Sequence, residues 1–173
     1  MFGSVPLRTY LPDGDIDISV FARSQDPEDQ LKDTWGTQLL KALEKEGGRH
    51  DAPFRIRNCQ IIQAEVKLVK FVVADVVVDV SFNALGGLCT VAFLEWADRT
   101  IGKDHLFKRS IVLVKAWCYY ESRLLGAHHG LISSYALETM VLHVFNLYGK
   151  ELTSPLALLR CFLQVFSKFD WDK

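Results

Sequence analysis

Asp15-Ile-Asp-Ile-Ser-Val-Phe21 is a short β pattern that carries two acids. Residues two apart on a strand project to the same face. Asp15 and Asp17 therefore point one way, out of a segment that otherwise alternates toward an apolar core. Two like charges side by side repel. A divalent cation between them removes the repulsion, and carboxylate oxygen is the donor that Mg²⁺ prefers. The competing reading is a pair of solvated edge or turn residues, the usual setting of an Asp-x-Asp.

Two further stretches bear on that choice. In Val77-Val-Asp-Val-Ser-Phe-Asn83, Asp79, Ser81 and Asn83 share one face and Val78, Val80 and Phe82 the other. A charge inside so apolar a strand is costly unless a cation or a hydrogen-bond network receives it. On a strand next to the first pair, Asp79 would complete a carboxylate set for two-metal phosphoryl transfer, with ions roughly 3.5–4 Å apart. Gly3-Ser4 precedes the loop from Val5 to Gly14 that leads into the aspartate strand. A small Gly-Ser turn lets backbone N–H groups and a hydroxyl come close to a phosphate.

The rest of the chain sets bounds. It has 173 residues, 49% hydrophobic and 24% charged, which suits a globular protein with a real core. Net charge is −1, so no global basic field announces nucleic acid. Cys59, Cys89, Cys118 and Cys161 are scattered without metal-ligand spacing and read as reduced thiols of an intracellular protein. No apolar run approaches the roughly 18 residues of a membrane span, and no signal-peptide pattern opens the sequence. His128-His129 lies in a Gly-flanked turn and reads as a solvated loop. The four tryptophans read as packing residues.

Periodicity divides the chain in two. Asp26-Pro27 marks a helix start, and Leu31, Trp35, Leu39 and Leu43 then recur on one helical face until Gly47-Gly48. Residues 55–63, 65–73 and 76–82 are β-rich, the last two forming a hairpin about Ala74-Asp75. After Gly86-Gly87 the pattern predicts helices over 90–101, 108–124, 133–148 and 155–167, the last capped by Ser154 with Pro155 at its first position. The fold class is therefore α+β: a mixed front half and an all-helical back half.

These residues match a family. Phe2-Gly-Ser4, the ten residues ending Leu11-Pro-Asp-Gly14, and Asp15-Ile-Asp-Ile18 together resemble the signature of the DNA polymerase β-type nucleotidyltransferase superfamily. Val77 to Asn83 resembles its third-carboxylate strand. Gly130-Leu-Ile-Ser-Ser-Tyr-Ala-Leu137 resembles a helix start in the central domain of poly(A)- and poly(U)-polymerase-like enzymes. Ser110 to Arg123 is similar to a plant branch with a PAP/OAS1 substrate-binding domain. The resemblance implies a nucleotidyltransferase palm over 1–88, lacking its N-terminal helix, and a helical PAP/OAS1 domain over 89–173, incomplete at its C-terminus. It also implies that the chain as given is partial, marginally stable, prone to associate and at most weakly active.

The resemblance implies roles as well. Asp15, Asp17 and Asp79 would be the catalytic carboxylates and would hold Mg²⁺ or Mn²⁺. Gly3 and Ser4 would meet the β- and γ-phosphates. Asn83 and Thr90 would lie beside the incoming nucleotide, although Cys89 stands where a ribose-contacting asparagine is common. Lys115 would contact the triphosphate; its bland alternative is a lysine snorkelling to solvent from an apolar helix. Tyr119 replaces a second lysine one turn later. Ser134 and Tyr135 would bind the nucleotide, the ring stacking on the base; the alternative is a capping serine and a core tyrosine. The implied activity is template-independent transfer of a nucleoside monophosphate, AMP favoured, from an NTP to an RNA 3′ end. Uridylylation, an oligoadenylate-synthetase-like reaction and a palm without activity remain open. The implied partners are NTP, with ATP favoured, and RNA, with no membrane; protein partners are not readable. The compartment is intracellular, cytoplasm or nucleus.

Overall fold

Val78 and Val80 are buried while Asp79 between them turns the other way, and this alternation organises the front half of the molecule. A computed structural model describes residues 1–22, 28–63 and 66–171. Strands β1 (Ile16–Val20), β2 (Ile56–Ile62), β3 (Leu68–Val73) and β4 (Val76–Phe82) form one sheet in the order β1-β4-β3-β2. β1 runs parallel to β4, and the other two pairings are antiparallel. The β3–β4 hairpin turns on Ala74 and Asp75, both at positive φ (47° and 68°). That is the backbone whose twist suits a two-residue hairpin, and the Arg57 guanidinium holds the Asp75 carboxylate there. β2 slips register between Arg57 and Gln60, with Asn58 at positive φ, as in a bulge.

A four-residue turn of helix, α1 (Ser4–Leu7), precedes β1, and α2 (Glu28–Gly47) follows it. The expected cap at Asp26-Pro27 and the strand start at Glu65 lie outside the described residues. α2 packs on β2 and β3. Trp35, buried, meets Val69, Phe71, Val78 and Val80, with Leu39, Leu43, Ile16 and Ile18 around them. Trp35 stacks on Phe82 with ring centroids 5.9 Å apart. This apolar layer consumes one face of the sheet and leaves the face of Asp17, Asp79 and Lys70 for other chemistry.

The chain resolves into two compact units, Met1–Ala92 and Phe93–Lys173, dividing within α3 (Leu85–Ile101). α3 begins five residues earlier than its periodicity predicts, taking Gly86 and Gly87 into its first turn. The second unit continues with α4 (Leu106–Ala116), α5 (Ser134–Tyr148) and α6 (Pro155–Phe166), each in contact with the other two. Their core holds Phe107, Ile111, Val114, Leu137, Val141, Val144, Leu158 and Phe162. Ser133 and Ser154 cap α5 and α6 by accepting from the amides of Ala136 (3.1 Å) and Ala157 (3.2 Å). Trp35 is a packing residue as expected, but Trp96 and Trp171 are each 62% exposed.

The predicted helix over 108–124 is two pieces. After Ala116 the chain widens into a π-helical turn, Trp117–Glu121, and the Ser122 amide donates to Trp117 O at 3.0 Å. Arg123, at positive φ, ends it. Between α3 and α4, residues 102–105 all have φ between 50° and 65°, a conformation costing of order 1–2 kcal/mol at each non-glycine residue. Neighbouring polar groups hold it. Lys103 Nζ donates to Gly149 O (2.6 Å) and Leu152 O (2.9 Å). His105 Nδ1 lies 2.6 Å from Oδ2 of buried Asp98, and Lys108 Nζ lies 2.5 Å from Glu95 Oε2.

Candidate active site

β1 and β4 bring the three aspartates together. Asp17 and Asp79 are register partners across the parallel pair. Asp15, exposed and just ahead of β1, is two residues from Asp17. Each of Asp15, Asp17 and Asp79 offers a carboxylate oxygen, and these three atoms all lie within 4.8 Å of one another. Among the described residues this is the one such cluster of three potential ligands. Hydrogen bonds across the two strands fix their ends. The Asn83 amide donates to Val20 O (2.9 Å), the Ala84 amide to Ser19 Oγ (2.8 Å), and Ser81 Oγ to Ile18 O (3.3 Å).

Gly3 closes one side of the cluster. Phe2 pairs with Asp17 as an isolated antiparallel bridge, its amide donating to Asp17 O at 3.0 Å. Gly3 then takes φ 74° and ψ −155°, a combination that is essentially glycine-only. A Cβ there would lie 2.1 Å from Asp17 Oδ2. The glycine is required because the backbone passes directly against a carboxylate. The same logic joins Phe2 to Gly87, where a Cβ would fall 2.3 Å from the phenylalanine ring.

The other side is closed by a residue that composition alone leaves among the solvated cations. Lys70 on β3 is the register partner of Asp79, and its Nζ donates to Asp79 Oδ2 at 2.8 Å. Asp79 Oδ1 is buried and finds no hydrogen-bond partner among the described residues. A buried acceptor without a partner is costly. Three carboxylates, one with a buried oxygen that lacks a hydrogen bond, form the all-oxygen donor set that a hard divalent cation takes. The residues fit Mg²⁺ or Mn²⁺.

The remaining predicted residues fall into two sets. In the first unit, Ser4 opens α1, Asn83 leaves β4 at φ 53°, and Thr90 lies on α3, all partly buried. In the second unit, Lys115 is partly buried in the last turn of α4, immediately before the π-helical turn. Such widened turns often mark functional sites. Ser133, one residue earlier than the capping alternative requires, caps α5. Ser134 and Tyr135 are exposed, Tyr135 by 50%. Neither a capping Ser134 nor a core Tyr135 survives, and both side chains stand at the helix start open to a ligand. Tyr119 is also exposed and packs edge-on against Tyr120. The second unit further carries a cavity of about 410 Å³ lined by Phe93, Trp96, Leu142, Phe145 and Asn146 among others; no predicted site residue lines it.

Residues 101–173 match the family described as the PAP/OAS1 substrate-binding domain. Over 162 residues, 92% of its length, the chain is 26% identical to poly(A) RNA polymerase protein 1 of Saccharomyces cerevisiae, of which it covers 23%. The polymerase core of TRAMP, an RNA surveillance complex, superposes with TM-score 0.71 at 21% identity, over 99% of this chain and 52% of that one. The Cid1 poly(U) polymerase, solved with Mg and 3′-dATP, superposes with TM-score 0.72 at 20% identity, over 98% and 60%. The chain thus spans about a quarter of the curated relative and about half of the solved ones. The fold is that of a nucleotidyltransferase palm followed by a helical PAP/OAS1-type domain, and the chain is similar in sequence to a poly(A) RNA polymerase. Among the described residues no helix is long and apolar enough to cross a membrane.

Proposed function

We propose that this chain carries the catalytic centre of a metal-dependent nucleotidyltransferase that joins a nucleoside monophosphate from an NTP to an RNA 3′-hydroxyl, releasing pyrophosphate. The observation that carries the reading is the three-carboxylate cluster of Asp15, Asp17 and Asp79, with oxygens within 4.8 Å. Bound there, Mg²⁺ or Mn²⁺ would neutralise phosphate charge and ease ionisation of the attacking hydroxyl. The protein's own part is positioning and charge placement, since phosphoryl transfer needs little covalent help. Asp15 and Asp17 would hold the ion, and Asp79 would ligate it beside the attacking hydroxyl. The glycine-only backbone of Gly3, with Ser4, brings donors to the triphosphate without a side chain intervening. Asn83 and Thr90 flank the nucleotide. Lys115 supplies a cation to the phosphates, and Ser134 and Tyr135 receive sugar and base.

AMP is the favoured group because the relative that aligns along 92% of the chain is named a poly(A) RNA polymerase. A second reading is a palm without activity. It is favoured by Cys89 and Tyr119, which stand where related enzymes commonly hold an asparagine and a lysine. One assay separates them. The chain is given labelled ATP or UTP, an RNA primer and Mg²⁺ or Mn²⁺. Label on the primer, preferentially from ATP and abolished by EDTA, supports the first reading. Label from UTP in preference to ATP overturns the base assignment, and no label from either supports the second reading.

A further inference from the structure

Lys70, Asp79 and Asp17 stand in one row across three strands, each in register with the next. Lys70 Nζ donates to Asp79 Oδ2 at 2.8 Å, while Asp79 Oδ1 is buried without a partner. The ammonium is itself only one-third exposed and the carboxylate much less. We propose that Lys70 is a resident counterion of the cluster: a positioning residue that fixes Asp79 so that Oδ1 alone faces the cation, and that sets how tightly the cation binds. The proposal rests on reading the three aspartates as a cation site.

Three carboxylates this close repel one another. Lys70 offsets one of the three charges. What is left matches a single divalent ion, so the palm is poised for one cation before any triphosphate brings charge of its own. The hydrogen bond also removes Oδ2 from competition. Asp79 is thereby held from using both oxygens on one ion, and the buried Oδ1 is aimed by a compact, strongly hydrated point charge. A lysine is suited to this task because it adds one positive charge at one place. The arrangement keeps the strands together without metal, at the expense of metal affinity.

An ordinary structural ion pair makes a different prediction from a counterion. Removing a structural partner lowers stability and leaves cation affinity unchanged or weaker. Removing a counterion raises affinity, because the dication no longer shares the cluster with an ammonium. Mn²⁺ is titrated into the 173-residue chain and its binding followed by loss of the free-ion paramagnetic resonance signal, for wild type, Lys70→Met, Lys70→Arg and Asp17→Asn. We expect Lys70→Met to bind Mn²⁺ about tenfold tighter than wild type, as loss of one nearby unit charge implies. Lys70→Arg should stay near wild type, and Asp17→Asn should lose the site. Thermal unfolding should show Lys70→Met less stable without metal and more strongly stabilised by Mn²⁺ than wild type.

Should Lys70→Met be unfolded without metal, recovery of native circular dichroism on adding Mn²⁺ would be the same result in a stronger form. Failure to recover at saturating Mn²⁺ would count against it. Equal or weaker Mn²⁺ binding by Lys70→Met overturns the counterion role and leaves the cation site standing. Wild-type binding that is absent, or that Asp17→Asn does not change, overturns both.

Discussion

Asp17 on β1 and Asp79 on β4 are paired in register across a parallel strand interface, so two residues distant in the chain place their carboxylates side by side. Asp15 joins them from the loop before β1, with ligand oxygens within 4.8 Å. Replacing any one carboxylate should therefore remove a ligand from a shared site. Asp15→Asn, Asp17→Asn and Asp79→Asn should each reduce NTP incorporation into RNA to the EDTA background. Primer-extension gels with labelled ATP would check this. Full incorporation by any one variant would exclude that aspartate.

Gly3 has a backbone no other residue adopts easily, and a Cβ there would lie 2.1 Å from Asp17 Oδ2. Gly3→Ala should lower unfolding stability by about 1–3 kcal/mol, read from urea titration. It should also abolish transfer, because relief of the clash moves Asp17. A stable, active alanine variant would show that the backbone here is freer than the contact requires.

Tyr135 is half exposed, which separates the binding role proposed for it from a structural one. Tyr135→Ala should leave the unfolding midpoint nearly unchanged and weaken NTP binding by about 1–3 kcal/mol, the value of a lost stacking partner. Tyr135→Phe should bind as wild type. The neighbouring serines should divide the same way: Ser133→Ala, which removes the α5 cap, should cost about 1 kcal/mol of stability, and Ser134→Ala should affect nucleotide binding alone. Fluorescence titration with an NTP analogue, beside thermal melts, distinguishes the two effects.

The Lys108 ammonium holds the Glu95 carboxyl below the usual carboxylate range, partly opposed by burial. A carboxylate whose folded-state pKa is depressed contributes stability above its unfolded value, near 4.3 or about that. That contribution is lost as pH falls through the depressed folded value. Glu95→Gln should cost about 1 kcal/mol at neutral pH, where it removes the nearer of the two carboxylates beside the ammonium and leaves Asp98 at 3.7 Å. The gap from wild type should close as both proteins are acidified below pH ~4. Urea midpoints taken at descending pH would check it; a gap that stays constant would remove Glu95 from the acid response.

Much of the site was legible because strand parity is a strong constraint. Alternation in Asp15-Ile-Asp-Ile18 and around Asp79 puts the acids on one face, and Gly3 stands where the backbone needs a glycine's freedom. Lys70 was equally available. Counting outward from the Ala74-Asp75 turn pairs residue 70 with residue 79, the register observed, but a lysine among several on β-rich runs carries no signal until that count is made. The π-helical turn after Ala116 was not legible. Its residues, with Cys118 buried among them, have the periodicity of an ordinary helix. The α3 start was misplaced because Gly86-Gly87 reads as a breaker, whereas Gly87 serves the close approach of the Phe2 ring.

The parallel pairing of β1 with β4 has a consequence for how the molecule assembles. A hairpin such as β3–β4 closes a two-residue turn and can form early. β1 can join β4 only after α2 and two strands have been bridged by a long loop, a contact slow to form and paid for in chain entropy. It also brings like charges together as it closes. The three aspartates should therefore be the last part of the palm to come into register, and the first to part when the chain opens. Divalent cations, added during refolding, should quicken that final step while leaving formation of the β3–β4 hairpin unchanged.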